Sequence, residues 1–183
     1  QHDLHQVISI TQQKAVLFTG TIRSNLQFGN PQATDDQMWR ALAIAQAADF
    51  VKEAGGLDAV VEQNGSNFSG GQRQRLAIAR TIIKPASIYI FDDSFSALDF
   101  KTDAELRMAL RQDKQVQQAV TVIVAQRVST VADADLIIVL DDGKVVGQGT
   151  HAELKAHNKT YQQIVNSQIQ KGDEERAERT SQD

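Results

Sequence analysis

Three short apolar runs constrain this chain more than anything else in it. Residues 87–91 read SIYIF, 119–125 read AVTVIVA and 134–140 read ADLIIVL. Each is short enough for a strand and too short for a core helix, and a polar-faced stretch of helical length separates the first two. Strands that are apolar almost throughout, rather than at alternate positions, belong to sheets covered on both faces. Strands alternating with helices form a parallel sheet. The pattern therefore predicts an α/β fold with a parallel sheet.

The remaining elements fit around that sheet. A further short strand is expected over 7–10. Asp141-Asp142-Gly143 predicts a tight turn that folds 134–140 back antiparallel onto a strand over 144–148. Helices are expected over 22–27 behind Thr21, over 35–47 behind Thr34, over 49–54, from Ser69 to about residue 84, over 102–118, and from Thr150 to about residue 170. TQQKAVLFTG (11–20) reads as a polar loop ending in an apolar knuckle, Val16-Leu17-Phe18. Residues 20–60 are thus mostly helical and the rest is α/β. Trp39 falls at helical spacing and reads as packing.

Composition narrows the function classes. The 183 residues are 41% hydrophobic and only 5% aromatic, so the core is aliphatic. The closing stretch KGDEERAERTSQD (171–183) carries three positive and five negative residues, half of the chain's net charge of −4. It reads as a disordered tail. The body is nearly neutral, with no basic face for nucleic acid. There is no cysteine, hence no disulfide. No apolar run reaches the roughly 18 residues of a membrane span, so this stretch is expected to be soluble. The opening QHDLHQVISI has no Met and no initiating pattern, and it looks like a cut through a longer protein.

Two stretches carry chemistry. IYIFDDSFSALD (88–99) ends an apolar strand in Asp92 and Asp93, with Asp99 beyond a small-residue turn. Ligands of open α/β sheets bind beyond the carboxyl ends of the strands, and a carboxylate there can hold Mg²⁺ beside nucleotide phosphates. A lone Asp-Asp is more often a pair of solvated loop residues. FSGGQRQR (68–75) starts a helix at Ser69, and Gly70 and Gly71 let backbone N–H groups approach an anion. By itself the octet is also compatible with an ordinary serine-capped helix.

Together these stretches resemble the ATP-binding-cassette (ABC) ATPases. FSGGQRQR resembles their signature motif, IYIFDDSFSALD their Walker B strand and D-loop, and TQQKAVLFTGTIRSNL (11–26) the Q-loop region of ABC exporters. VIVAQRVSTVADADLIIVLDDGKVVGQGTHAEL (122–154) resembles their switch region and last strands. The motifs stand in family order over about residues 5–165. The resemblance implies a partial P-loop NTPase core with a parallel sheet plus a helical subdomain. Residues 1–19 would form a core strand and Q-loop, 20–69 the helical subdomain, 70–169 the RecA-like core, and 170–183 the tail.

It also implies roles. Two cassettes pack head to tail around two ATP molecules. Asp92 would support Mg²⁺ in this chain's own site, and Gln13 would sense that metal and face the coupling helices of a transmembrane domain. Ser69, Gly70, Gly71 and Gln72 would serve the ATP of a second cassette or half-transporter, and Asp99 would lie in the D-loop at that interface. His151, in the family's G-x-G-T-H turn, reads as structural. The parent would sit at the cytoplasmic face of a membrane.

Three departures modify the expectation. No GxxxxGK[ST] phosphate loop occurs: Gly65 and Gly70 have the spacing but continue Gly71-Gln72. In the family that loop precedes the Q-loop, so it is expected upstream of residue 1, and this stretch alone is expected to be inactive. The residue after Asp92 is Asp93 where the family usually has Glu, and the switch histidine is replaced by Gln126. A carboxylate about an ångström short can cost roughly 100-fold in rate, and glutamine carries no titrating proton. Phe68 for the usual Leu leaves the signature intact. Glu62 and Gln63 alter the segment that normally contacts coupling helices. The pattern resembles the slow-site half of a heterodimeric, multidrug-type exporter. A homodimeric exporter with two working sites and a non-transport ABC ATPase stay open as alternatives. The transported substrate is not encoded here.

Overall fold

The structure is a computed structural model that describes residues 7–180, with side chains described through residue 169. The chain divides into two compact units, one ending at Ala125 and the other beginning at Gln126.

The first unit is built on three parallel strands, β1 (Ile8–Thr11), β4 (Ile88–Asp92) and β5 (Val120–Val124), in the order β1-β4-β5. Ile8, Ile88 and Val120 lie side by side, as do Ile10, Ile90 and Val122. The strand ending in Asp92 is therefore central. Between β1 and β4 run β2 (Gly20–Thr21), α1 (Ile22–Gln27), α2 (Asp35–Ile44), α3 (Ala48–Glu53), β3 (Val60–Val61) and α4 (Gly70–Ile82). This is the helical region that the sequence predicts, followed by the helix that starts at Ser69.

Local sequence explains these elements. Thr21, Thr34 and Ser69 each cap a helix through the hydroxyl and are capped in return by Ser24, Gln37 and Gln72. Such reciprocal boxes satisfy backbone donors that the first turn otherwise leaves orphaned. Met38, Ala41 and Leu42 on α2, with Ala45 at its C-cap, form a buried stripe, and α2 packs on α4. Trp39 is half-buried against the same core. Of the apolar knuckle only Leu17 is buried, while Val16 and Phe18 remain exposed. Asn25 holds that loop by accepting from the Phe18 N–H and donating to its carbonyl.

One face of the sheet packs on α4. Ser9, Thr11, Tyr89 and Phe91 are buried there. Ser9 donates to the Thr81 carbonyl at 2.8 Å and the Thr11 and Thr81 hydroxyls bond at 2.7 Å. The opposite face differs from the expectation of two covered faces: Ile10, Val122 and Val124 stay 52%, 43% and 51% exposed. Among the described residues of this unit, helices cover one side only.

The helix expected over 102–118 is two helices, α5 (Phe100–Gln112) and α6 (Lys114–Gln117). Asp113 breaks them apart because it adopts an extended backbone and caps α6 with its carboxylate. Competition of this kind between an aspartate side chain and the helical ladder is the usual effect of Asp within a helical run. The two-residue antiparallel pair β2·β3 has no counterpart among the sequence expectations.

The second unit contains α7 (Val128–Val131), the antiparallel pair β6 (Ile137–Asp141) and β7 (Lys144–Gly149), α8 (His151–His157) and α9 (Lys159–Thr180). Asp142 and Gly143, both at positive φ, make the tight turn. Ile137, Val139, Leu154, Tyr161 and Val165 form its core. His151 bonds the Tyr161 hydroxyl through Nδ1 at 2.8 Å, the structural role expected of it. The α9 backbone continues past residue 170 into the stretch whose composition suggests disorder. Lys, Glu, Arg and Ala are strong helix formers. Residues 181–183, and His2 and His5 at the other end, lie outside the described residues.

Candidate functional site

The carboxyl end of β4 is the focus of the first unit. Asp92 is the last residue of that strand, half-buried, beside Val124 of β5. Asp93 leaves the strand in the left-handed region at φ 46°. Aspartate tolerates that region better than most residues. Its N–H still donates to the Val124 carbonyl at 2.9 Å, and its carbonyl accepts from the Ser96 hydroxyl at 2.9 Å. Ser94, fully buried, reaches the Thr11 and Asp92 carbonyls at 3.4 and 3.3 Å. These bonds fix the turn on both sides of Asp93.

Gln13 follows the end of β1, the strand next to β4. Its side-chain amide donates to Asp93 Oδ2 at 3.4 Å across 80 residues of sequence. The Gln13 carbonyl oxygen takes no part in that bond. Asp92, Asp93 and Gln13 thus offer hard oxygen donors at one strand end. Among the described residues no group of three or more His, Cys, Asp and Glu side chains is arranged around a metal.

The second focus is the start of α4. Ser69 accepts from the Gln72 N–H at 3.2 Å, and the Gln72 side chain accepts from the Ser69 N–H at 2.8 Å. Ser69 and Gly70 are exposed, and Gly71 and Gln72 half-buried. A Cβ built on Gly71 would lie 3.5 Å from the Ala97 carbonyl, so the start of α4 touches the loop that leads to Asp99. Asp99 caps α5 by accepting from the Thr102 N–H at 2.9 Å. The Thr102 backbone amide, and then its side chain, hold the Asp99 carboxyl below the usual carboxylate range. The loop before Ser69 is tied down by Asn67, which accepts from the Glu62 N–H and donates to the Val60 carbonyl, and by Arg73, which donates to the Phe68 carbonyl. Sequence reasoning passed over Asn67, Arg73, Ser94 and Ser96. Asn67 bonds back to residues five and seven positions earlier, beyond the reach of a local turn motif that the sequence would signal.

Gln126 belongs to the second unit. It is exposed, and its backbone carbonyl accepts from Gln168 Nε2 at 2.7 Å while Gln168 Oε1 accepts from the Val128 N–H. The predicted residues therefore form one group of Gln13, Asp92 and Asp93, a second of residues 69–72 with Asp99 nearby, and Gln126 in a unit of its own.

Known proteins resemble the chain as a whole. The family model described as "ABC transporter" matches residues 1–96, more than half of the chain. The chain belongs to the ABC transporter family. It is 47% identical over 168 residues to an uncharacterized ABC transporter ATP-binding protein of Mycobacterium bovis, covering 90% of this chain and 28% of that protein. It is 41% identical to an ATP-dependent lipid A-core flippase of Alkalilimnicola ehrlichii, covering 86% of this chain and 27% of the flippase. The structure of a bacterial Atm1-family ABC exporter with ATP bound aligns with a TM-score of 0.86 at 35% identity. That alignment covers 92% of this chain and 30% of the exporter. The fold is accordingly the α/β ABC ATPase form of the P-loop NTPases, and the chain spans less than a third of the length of these relatives. Among the described residues no helix is long and apolar enough to cross a membrane.

Proposed function

We propose that this chain is the C-terminal part of the ATP-binding domain of one half of a heterodimeric ABC exporter, at the cytoplasmic face of a membrane. Its own ATP site binds nucleotide and hydrolyses it slowly, while its signature residues serve the faster site of the partner half. Residues 1–19 and 70–169 make up the core and residues 20–69 the helical subdomain that faces the coupling helices. The observation that carries the reading is the Gln13 amide donating to Asp93 Oδ2 at 3.4 Å. It joins the residue that follows the metal-binding aspartate to the end of the Q-loop strand, where the family resemblance puts the attacking water.

Each residue has a task in this reading. Asp92 and the Gln13 carbonyl hold the cation. Bound Mg²⁺ supplies the charge that offsets the developing negative charge on the β- and γ-phosphate oxygens. Asp93 accepts the proton side of a water through its carboxylate. One methylene shorter than glutamate, and engaged by Gln13, it orients that water poorly, which costs roughly 100-fold in rate. Gln126 donates to the γ-phosphate and moves no proton. Ser69 and the N–H groups of residues 70–72 bind the phosphates of the partner's ATP at the start of α4. The phosphate-loop contacts come from a segment this sequence does not contain.

The test is steady-state ATPase activity of the full-length protein, alone and assembled with its partner half. Activity is expected only in the pair. It should fall about 100-fold when the glutamate in the partner's Walker B strand becomes Gln, and less than about twofold for Asp93→Asn. Strong activity of this half alone, abolished by Asp93→Asn, would make Asp93 a working base and favour the homodimeric exporter.

A further inference from the structure

The helical region and the central strand are joined by a polar network away from the motifs. Arg40 on α2 points its guanidinium at Asp113, the residue that separates α5 from α6. Arg40 Nε donates to Asp113 Oδ2 at 2.8 Å and Nη2 donates to Oδ1, a two-point fork. Arg40 Nη1 also donates to Gln115 Oε1 at 3.2 Å. Asp113 is committed from both sides, because Oδ1 accepts from the Gln115 and Val116 N–H groups at 3.0 and 3.1 Å. Its side chain is only 10% exposed.

Gln115 carries the connection inward. Its Nε2 donates to the Tyr89 hydroxyl at 2.6 Å and to the Ile82 carbonyl at 3.1 Å. The Tyr89 hydroxyl in turn donates to the Lys84 carbonyl at 2.8 Å. Tyr89 is fully buried on β4, three residues before Asp92, and Ile82 is the last residue of α4. The network thus touches α2, the end of α4 and the strand that ends at the cation-binding carboxylates. Forked arginine–carboxylate bonds fix orientation as well as distance. A half-buried, fully bonded network of this kind is rigid in a way that exposed ion pairs are not.

We infer that Arg40, Asp113, Gln115 and Tyr89 form a latch that sets the angle of the helical region on the sheet, so that residues 69–72 and Asp92 move as one piece. The inference rests on the reading above, in which these two ends face different ATP molecules. A 13-residue helix is stiff, so an anchor at its Ile82 end governs the direction of its Ser69 end. The four are positioning residues: none of them touches nucleotide.

The test uses the full-length transporter assembled with its partner. Asp36→Cys on α2 and Ala104→Cys on α5 put spin labels on two exposed positions, and this chain supplies no cysteine of its own. Pulsed electron-spin distances then report the angle between the helical region and the core. Arg40→Gln should broaden the distance distribution about twofold, and Tyr89→Phe, which removes one hydroxyl and no packing, should broaden it less. Arg40→Lys, which keeps the charge and loses the fork, should fall between wild type and Arg40→Gln. Alongside, Arg40→Gln should lower kcat about fivefold while KM for ATP stays within about twofold. An unchanged distribution in Arg40→Gln overturns the latch. Should Arg40→Gln not assemble, an unchanged distribution in Tyr89→Phe overturns it instead. Broadened distances in a transporter whose activity needs Asp93 leave the latch standing and overturn the reading of the site.

Discussion

The start of α4 and the end of β4 are built in opposite ways. At Ser69 every local choice agrees with the structure: a serine cap, a reciprocal glutamine at the third helical position, and glycines where the backbone meets another loop. At Asp93 the choices conflict. A non-glycine residue sits at positive φ, the carboxylate is a methylene shorter than the family's, and a neighbouring amide occupies one of its oxygens. Local agreement marks an end maintained for tight geometry, and local conflict is a common signature of strain at a functional position. The difference teaches that the two ends of one chain need not be equally competent.

Catalysis gives the largest contrast. Ser69→Arg places a bulky cation where the partner's phosphates would meet the N-terminus of α4. It should lower the ATPase rate of the assembled pair by at least about 100-fold, the order seen when a transition-state donor is lost. Asp93→Asn in the same assay changes the rate by less than about twofold if this site is the slow one. Comparable losses in the two variants would break the contrast and make both ends catalytic.

How much of this was legible in the sequence depends on the range of the interaction. The capping boxes at Thr21, Thr34 and Ser69 and the Asp142-Gly143 turn are local, and residue identity predicts them. The parallel sheet followed from the apolar runs at 87–91 and 119–125, but the third run, 134–140, pairs only with β7 and antiparallel, because an apolar run does not say which strand it joins. The Asp113 break was harder. Helical periodicity continues through it, and only the capping chemistry of aspartate, read against its tertiary partner Arg40, explains the break. The β2·β3 pair is two residues long and its halves lie 40 apart, too short for any period to register. The Gln13–Asp93 contact was not readable from spacing. Family resemblance put both residues near one nucleotide, and the β1-β4 register brings them together. The open face of the sheet was invisible too, since an apolar strand sequence does not say which part of a protein covers it.

Stability sharpens the comparison on a smaller scale. Ser69→Ala removes the hydroxyl that accepts from Gln72 N–H and should cost about 1 kcal/mol. Asp93→Gly loses the Gln13 contact but relieves the left-handed backbone, and Gly adds entropy to the unfolded chain. These effects oppose one another, so the net change should be within about 0.5 kcal/mol. Thermal unfolding of both variants in the full-length protein checks this. A loss at Asp93→Gly larger than at Ser69→Ala would mean that the side chain at Asp93 holds the strand end together.

The smallest expected effect concerns pH and tests whether the link between the two ends is electrostatic. Burial works to raise the Asp113 carboxyl, and the Arg40 guanidinium with the N–H groups of α6 outweighs it, leaving the group below its ordinary range. A carboxyl depressed in the folded state binds its proton more weakly there than in the unfolded chain. The stability it contributes is therefore present above the unfolded value of about 3.9 and is lost as pH falls through the lower folded value. Acidification from neutral pH toward about pH 3 should thus destabilise the wild type more steeply than Asp113→Asn, which has no proton to gain. Unfolding midpoints across that range, compared between the two proteins, measure the difference. Equal slopes would mean that neither Arg40 nor the α6 N–H groups favour the charged carboxylate over the neutral one, and the latch would then depend on hydrogen-bond geometry alone.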